Sequence, residues 1–435
     1  MALTLVGGLL AAACGGSDEP VERGQSVAVN RDTAPSGETT TPDPTDETAT
    51  PDTSTPDPST PDTDATTPES GSSERAEIRG ELAIPISEVD EMVAYVESAT
   101  GETFVRPPVI VSQDGATFDE GLLPDEDDEE ELAEETELLA RLYQSIGLSN
   151  LSGPELEGRI LDFLTSPAGV AGYYDPEIDE LYIPDDYPDL DSLRSTLVHE
   201  LTHALDGQRH DLFGLLEAAG EPEADDEGFD SALGLRAIVE GRASAVEESY
   251  VRDMDLDPQL GVDAELPDIP AAYLFATVLP YQLGPLLIGA AGGSDDTADL
   301  IEDHPETSEQ VLFLDRFLAD EQPLEVAAPD AEGPVLDQGT LGAIGVLIWL
   351  GDDGLLTGVN LQGAFEAAEG WGGDRYVMWG DDRETCLRMR VSGDDSQDHD
   401  ELVEAFESWA SDLTGREVVD EDDSVLVTGC APLVS

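Results

Sequence analysis

The sequence predicts an α+β protein held behind a long polar stalk. Three observations lead there. Residues 17–75 are mostly Thr, Pro, Asp, Ser and Glu with hardly any large apolar side chain, and Thr-Pro-Asp recurs at 41–43, 50–52, 55–57 and 60–62. Such a segment cannot bury enough apolar surface to offset the entropy of ordering. From about residue 76 onward, segments with a 3.6-residue apolar period alternate with short β-prone runs. The apolar share of the 435-residue chain, 39%, suffices for a core in that remaining part.

The elements follow in order. Leu3 to Ala13 is apolar or small and ends at Cys14. Leu10-Ala11-Ala12-Ala13-Cys14-Gly15 resembles a bacterial lipobox, which implies a signal peptide over 1–13, a lipid on Cys14 and a lipid-anchored disordered stalk over 14–75. Ser87 to Ala99 reads as a helix with Val89, Met92, Val93 and Val96 on one face and Ser87 as N-cap. Phe104 to Val111 is strand-like, and Pro107-Pro108 makes it an edge or bent strand. Glu130 to Ile146 is a helix stopped at Gly147, and Leu156 to Leu164 is another. Gly169 to Ile183 reads as a hairpin turning at Asp175-Pro176. A helix from Asp191 or Ser192 to about Asp206 ends at Gly207. A further helix spans Ser231 to Arg252. After Pro334, short helical and strand-like segments alternate. This divides the folded part into a core over 76–325 and a C-terminal α+β subdomain over 326–435.

Charge excludes several function classes. Asp and Glu number 99 against 18 basic residues, all arginine, for a net charge of −81. Nucleic acid and anionic lipid both need basic partners, so neither is expected; the membrane is met through the lipid alone. The stalk holds 14 of the acidic residues and three arginines, so the acidity belongs mainly to the folded part. Such a surface repels itself in low salt and points to a salty habitat. The acidic runs Asp125–Glu131 and Glu221–Asp230 lack the spacing of a calcium loop and read as solvated charge. No apolar run reaches the roughly 18–20 residues that a spanning helix needs, so no classical transmembrane segment is expected. With Cys14 lipidated, Cys386 and Cys430 remain as an even pair in an oxidising compartment, and a disulfide between them is expected.

The chemistry is concentrated in Leu197-Val198-His199-Glu200-Leu201-Thr202-His203-Ala204-Leu205. His199 and His203 are four apart on a helix, so their rings leave the same face one turn from each other. Neutral imidazoles so placed can hold one zinc ion. Glu200 lies about 100° round the helix, where it is no ligand but can act as general base toward a water at the metal. Leu193, Leu197, Leu201, Ala204 and Leu205 form the opposite, core-facing stripe. A third ligand is required, and Glu240 is the candidate: Leu233, Ala237, Glu240, Ser244 and Glu247 share a helix face, and an inward carboxylate needs a partner. An Arg236–Glu240 ion pair is the competing reading of that residue, and Glu247 and Glu248 are alternative ligands.

These residues resemble the H-E-x-x-H zinc metallopeptidases of the gluzincin type. More closely, the chain is similar to a poorly characterised group of exported bacterial and archaeal lipoprotein metallopeptidases. The likeness is carried by Ala171-Gly172-Tyr173-Tyr174-Asp175-Pro176, by His199 to Leu205 with Gln208 and Asp211-Leu212, and by Val239-Glu240-Gly241. Ser308-Glu309-Gln310-Val311-Leu312 and Gly370-Trp371-Gly372-Gly373-Asp374-Arg375 add to it. The chain differs where the family usually has Asp before the Gln, here Gly207, and where it often has His after Gln-Val-Leu, here Phe313. The resemblance implies a zincin-like core, a mixed sheet whose edge hairpin packs on the H-E-x-x-H helix. It also implies one Zn2+ on His199, His203 and Glu240, and hydrolysis of peptide or protein substrates outside the cytoplasm with Glu200 as base. Tyr250, Tyr281, His304 and His210 are candidate donors to the oxyanion, and Trp371, Trp379 and Trp409 candidate core anchors. The alternative function is an inactive zinc-containing binding or scaffold lipoprotein.

Overall fold

The computed structural model describes residues 10–12, 75–124, 128–166, 169–220, 228–259, 268–293, 297–351, 355, 361–411 and 415–434. The described residues of Met1–Gly16 and Glu74–Ser435 cluster as one compact unit. The expected stalk, residues 1–9 of the expected signal, Cys14, and the 125–127 and 221–227 parts of the acidic runs lie outside the described residues.

The protein is α+β. Leu10–Ala12 is β1 and Glu77–Arg79 is β2. Ile86–Thr100 is α1, with Val89, Met92, Val93 and Val96 buried as the spacing requires. It starts after Pro85 rather than at a Ser87 cap, because proline already holds φ at −73° there and no side-chain cap forms. β3 is Val109–Gln113. The expectation of an edge strand over Phe104–Val111 is corrected: β3 pairs in parallel on both sides, with β2 and with Glu180–Pro184. The strand begins after the prolines, so no ladder donor is lost, and Pro108 contributes its carbonyl to the Glu77 N–H at 2.9 Å.

Gly115–Gly121 is α2, capped by Asp114, a helix that the sequence reading passed over. Glu129–Ile146 is α3, closed by Gly147 at φ 89°. Gly153–Leu164 is α4, where the Glu155 carboxylate accepts the Ser152 N–H at 3.0 Å. Gly172–Asp175 (β4) and Glu180–Pro184 (β5) form the expected hairpin. The first sheet runs β1-β4-β5-β3-β2, with β1 antiparallel on the outer side of β4.

Leu190–His210 is α5, opened by the Asp189 carboxylate accepting the Ser192 N–H at 2.8 Å. It does not end at Gly207 as expected but turns out at Asp211, φ 48°. Gly207 is glycine for a packing reason: a Cβ there would stand 2.4 Å from the Tyr174 hydroxyl of β4. The expected stripe Leu193, Leu197, Leu201, Ala204 and Leu205 is wholly buried, against β5, α1 and the rest of the first core. Leu212–Gly220 is α6, Gly228–Met254 is α7, and Ala271–Ala291 is α8. By length and composition α8 is apolar enough to cross a membrane; Gln282, Pro280 and Pro285 break up the run that the sequence reading looked for. It packs along α7, with Tyr273, Leu274, Leu279, Leu287 and Ile288 buried. Asp299–Glu302 (α9), Ser308–Leu312 (α10) and Leu314–Ala319 (α11) follow.

The C-terminal part contains a second sheet, wholly antiparallel. Its elements are Val335–Gly339 (β6), Gly342–Gly351 (α12), Gln362–Glu369 (α13), Trp371–Gly380 (β7), Glu384–Gly393 (β8), Ser396–Ala410 (α14), Arg416–Asp420 (β9) and Val425–Pro432 (β10). The strand order is β6-β7-β8-β10-β9. Cys386 and Cys430 are register partners on β8 and β10 and form the expected disulfide. Trp371 and Trp379 are buried, and Trp409 meets Trp349 edge-on with ring centroids 5.3 Å apart.

The two family-like segments to which the sequence assigns no catalytic role act on α12. Asp374 accepts the backbone N–H groups of Leu341 (3.0 Å) and Gly342 (2.8 Å) and the Trp371 indole N–H (3.0 Å), while Ser308 Oγ accepts the Ile344 N–H at 3.1 Å. They satisfy donors at a buried helix start that no solvent could reach.

Candidate metal centre

The site lies where α5 crosses α7. Because α5 is apolar on one side, packing against the first sheet turns His199 and His203 to the other, toward α7. The rings sit 4.7 Å apart and nearly edge-on, at 75°. Glu240, on α7, brings one oxygen, Oε2, to 3.3 Å from the Nε2 atoms of both His199 and His203. The three residues are at most 1% exposed and form a group able to hold a metal ion. The competing Arg236–Glu240 ion pair does not form.

Glu247, one of the alternative ligands, has a different place. Its Oε2 lies 2.9 Å from His199 Nδ1, and its Oε1 accepts the Ser195 hydroxyl. A carboxylate on Nδ1 holds the proton there, the tautomer in which Nε2 could give its lone pair to a metal ion. Glu248 is exposed.

Glu200 is fully buried, and neither carboxylate oxygen has a hydrogen-bond partner among the described residues. Among the described residues, His203 Nδ1 has no hydrogen-bond partner and Nε2 makes no hydrogen bond despite lying 3.3 Å from Glu240 Oε2. Buried polar atoms are normally satisfied, so this much unmet capacity around one gap fits a bound cation and water. Burial pushes the Glu200 carboxyl up to about 7, although His203 and His199 pull the other way. Burial works to lower His199, but Glu240 and Glu247 outweigh it and raise the imidazole to about 10. Glu240 is held below the ordinary carboxylate range: burial opposes this, and the charge of His203 with the hydrogen bond and charge of His199 prevail.

Among the four candidate oxyanion donors, Tyr281 alone is in ring contact with the ligand set: it stacks on His199, centroids 6.2 Å apart at 23°. Tyr250 packs edge-on against Tyr95 in the core. His304 faces the carbonyl of Pro305 at 3.1 Å. His210 lies near Glu102 (3.4 Å) and Glu302 (3.9 Å). Glu102, Asp206 and His210 also converge as a group of ligand type. The Arg242 guanidinium stands among them, however, donating to Asp206 and Glu102, so the chain supplies the cation itself.

Tyr174 and Gln208 of the family-like segments fasten the hairpin to α5 together with Asp179 and Arg106, two residues that carry no motif. Asp179 accepts from the Tyr174 hydroxyl (2.8 Å), the Gln208 amide (3.2 Å) and Arg106 Nε (2.6 Å). Gln208 Oε1 accepts the N–H groups of Val105 and Arg106. Glu247, Asp206 and Arg242 were legible only as helix neighbours of the predicted ligands, since their partners lie on other elements.

The family of a domain of unknown function, DUF8575, matches residues 333–430, which is the second sheet with its helices. No curated protein and no solved structure gives a significant match to the chain.

Proposed function

We propose that the protein is a zinc-dependent peptidase carried on the outer face of a cell membrane by a lipid on Cys14. The observation that carries this reading is the meeting of Glu240 Oε2 with both Nε2 atoms at 3.3 Å beside a buried Glu200 with unpartnered oxygens. His199, His203 and Glu240 would hold the ion, and two imidazoles with one carboxylate are a ligand set that zinc takes in hydrolytic sites. When bound, zinc supplies Lewis acidity, which acidifies a water and makes a peptide carbonyl more electrophilic.

The protein's own groups do the rest. Glu200, with its carboxyl near pH 7, takes a proton from the attacking water and hands it to the leaving amine. Glu247 holds the His199 tautomer. Tyr281, stacked on His199, is the phenol best placed to donate to developing negative charge on the carbonyl oxygen. A zincin-like core is supported by the mixed sheet packed on α5, with β4 on the side toward the metal helix. β1 occupies the outer side of β4 in antiparallel register, Leu10 opposite Tyr174. An extended substrate would add to that edge in the same way, and cleavage before Cys14 would release residues 10–12 from it.

The test is metal analysis of the purified chain together with a peptide-library digest, using Glu200→Gln as control. One zinc per chain, cleavage by the wild type and no cleavage by a zinc-loaded Glu200→Gln are expected. Zinc without cleavage would favour a scaffold instead. Cleavage by Glu200→Gln at the wild-type rate refutes the base.

A further inference from the structure

Glu240, Gly241 and Arg242 are successive residues of α7, and each meets a different neighbour. Glu240 reaches the imidazoles of α5. Gly241 lies against α8: a Cβ on it would fall 2.4 Å from the Gly284 carbonyl carbon, so the two helices touch backbone to backbone. Arg242 is fully buried. Its Nη2 and Nε donate to the two oxygens of Asp206 at 2.8 and 3.1 Å, Nη2 also to Glu102 at 3.0 Å, and Nη1 to Thr297 Oγ1 at 3.4 Å. Asp206 stands three residues beyond His203 on α5, and Arg242 two beyond Glu240 on α7. The fork therefore joins the two helices within one turn of the place where His203 and Glu240 meet.

A buried ion pair is a poor device for stability alone, because an apolar pair of similar volume serves as well or better. A planar guanidinium on a carboxylate adds fixed direction and spacing. We propose that Arg242, acting through Asp206, is a positioning residue: it sets the spacing and register of α5 against α7, and so the width of the gap between the two imidazoles and Glu240. The inference rests on His199, His203 and Glu240 being the metal ligands.

The test compares wild type, Arg242→Lys, Asp206→Asn and the double variant. Lysine keeps the charge and loses the fork; asparagine keeps the shape and loses the charge. Three quantities are read: zinc affinity by competition with a chromophoric chelator, the visible absorption of the cobalt(II)-loaded protein as a reporter of ligand arrangement, and the melting of the metal-free protein. Each single variant is expected to melt cooperatively, to bind zinc roughly 10- to 100-fold more weakly and to show an altered cobalt spectrum. The double variant should be little worse than the poorer single one, since both remove one interaction. A folded Arg242→Lys or Asp206→Asn with wild-type zinc affinity and spectrum overturns the proposal, as do additive penalties. Should Arg242→Lys not fold, Asp206→Asn decides; loss of fold in both makes the pair a scaffold element and overturns the proposal too. A wild-type chain that binds no zinc refutes the ligand assignment instead, which keeps the two failures apart.

Discussion

Glu247 gives the sharpest prediction about the metal gap. Its Oε2 is 2.9 Å from His199 Nδ1 and its Oε1 is engaged by Ser195, so it orients the imidazole without touching the gap. Removing such a partner of a ligand histidine costs about 10- to 100-fold in metal affinity, or roughly 1.4 to 2.7 kcal/mol. Glu247→Gln retains an acceptor oxygen of the same reach and loses the charge, so its expected loss is near 10-fold. Glu247→Ala removes the acceptor altogether and leaves Ser195 unpaired, so its loss is near 100-fold. The side chain is 19% exposed, and metal-free melting should shift little in either variant. Zinc titration against a chelator of known affinity measures the losses, with zinc content at saturation as a second reading. If Glu247→Ala binds zinc as tightly as wild type, the orienting role is wrong. If it loses zinc altogether while folded, Glu247 is a ligand and Glu240 has been misread.

Three other outcomes are expected. Glu309 is buried, and burial together with Asp394, Glu321 and Asp230 raises its carboxyl to about 9 against the pull of Arg316. A carboxyl raised on folding favours the folded state below pH 4 and loses that contribution as pH rises toward 9. Denaturant titration should therefore find Glu309→Gln more stable than wild type by about 1 to 2 kcal/mol at pH 7, with the gap closing by pH 4; equal stability at both values would contradict this. The disulfide spans 44 residues, so Cys386→Ser with Cys430→Ser should cost roughly 4 kcal/mol by loop entropy, read as a lower urea midpoint; an unchanged midpoint counts against it. The acidic fold should melt at higher temperature in molar salt than in low salt, and scanning calorimetry that finds no salt dependence would remove the inference of a saline habitat.

How far the site was legible depended on how local its determinants are. Two histidines and a glutamate within one helical turn are a property of a single helix, and their period of 3.6 with Leu197 and Leu201 behind them fixed which way they face. Glu240 was reachable for the same reason, as a carboxylate on a mostly inward helix face. What escaped was decided between elements. Gly207 looked like a helix stop because glycine commonly ends helices, but it is glycine to admit the Tyr174 ring from β4. Phe104 to Val111 looked like an edge because of its prolines, but the strand starts after them and stands inside the sheet. Arg242 and Asp206 are ordinary charged helix residues until two helices cross, and Asp374 is one more acid in a very acidic chain until a buried helix start is brought to it.

The longest rod in the fold carries an unusual number of obligations. Along α7, Glu240, Gly241, Arg242 and Glu247 answer in turn to the imidazole gap, to the neighbouring helix backbone, to Asp206 and to His199. Inserting or deleting one residue between Glu240 and Glu247 would swing everything downstream by about 100° and break the register that these contacts share. Changes of chain length should thus be refused between Glu240 and Glu247. A scan of single-codon insertions across 221–270 would draw that boundary residue by residue.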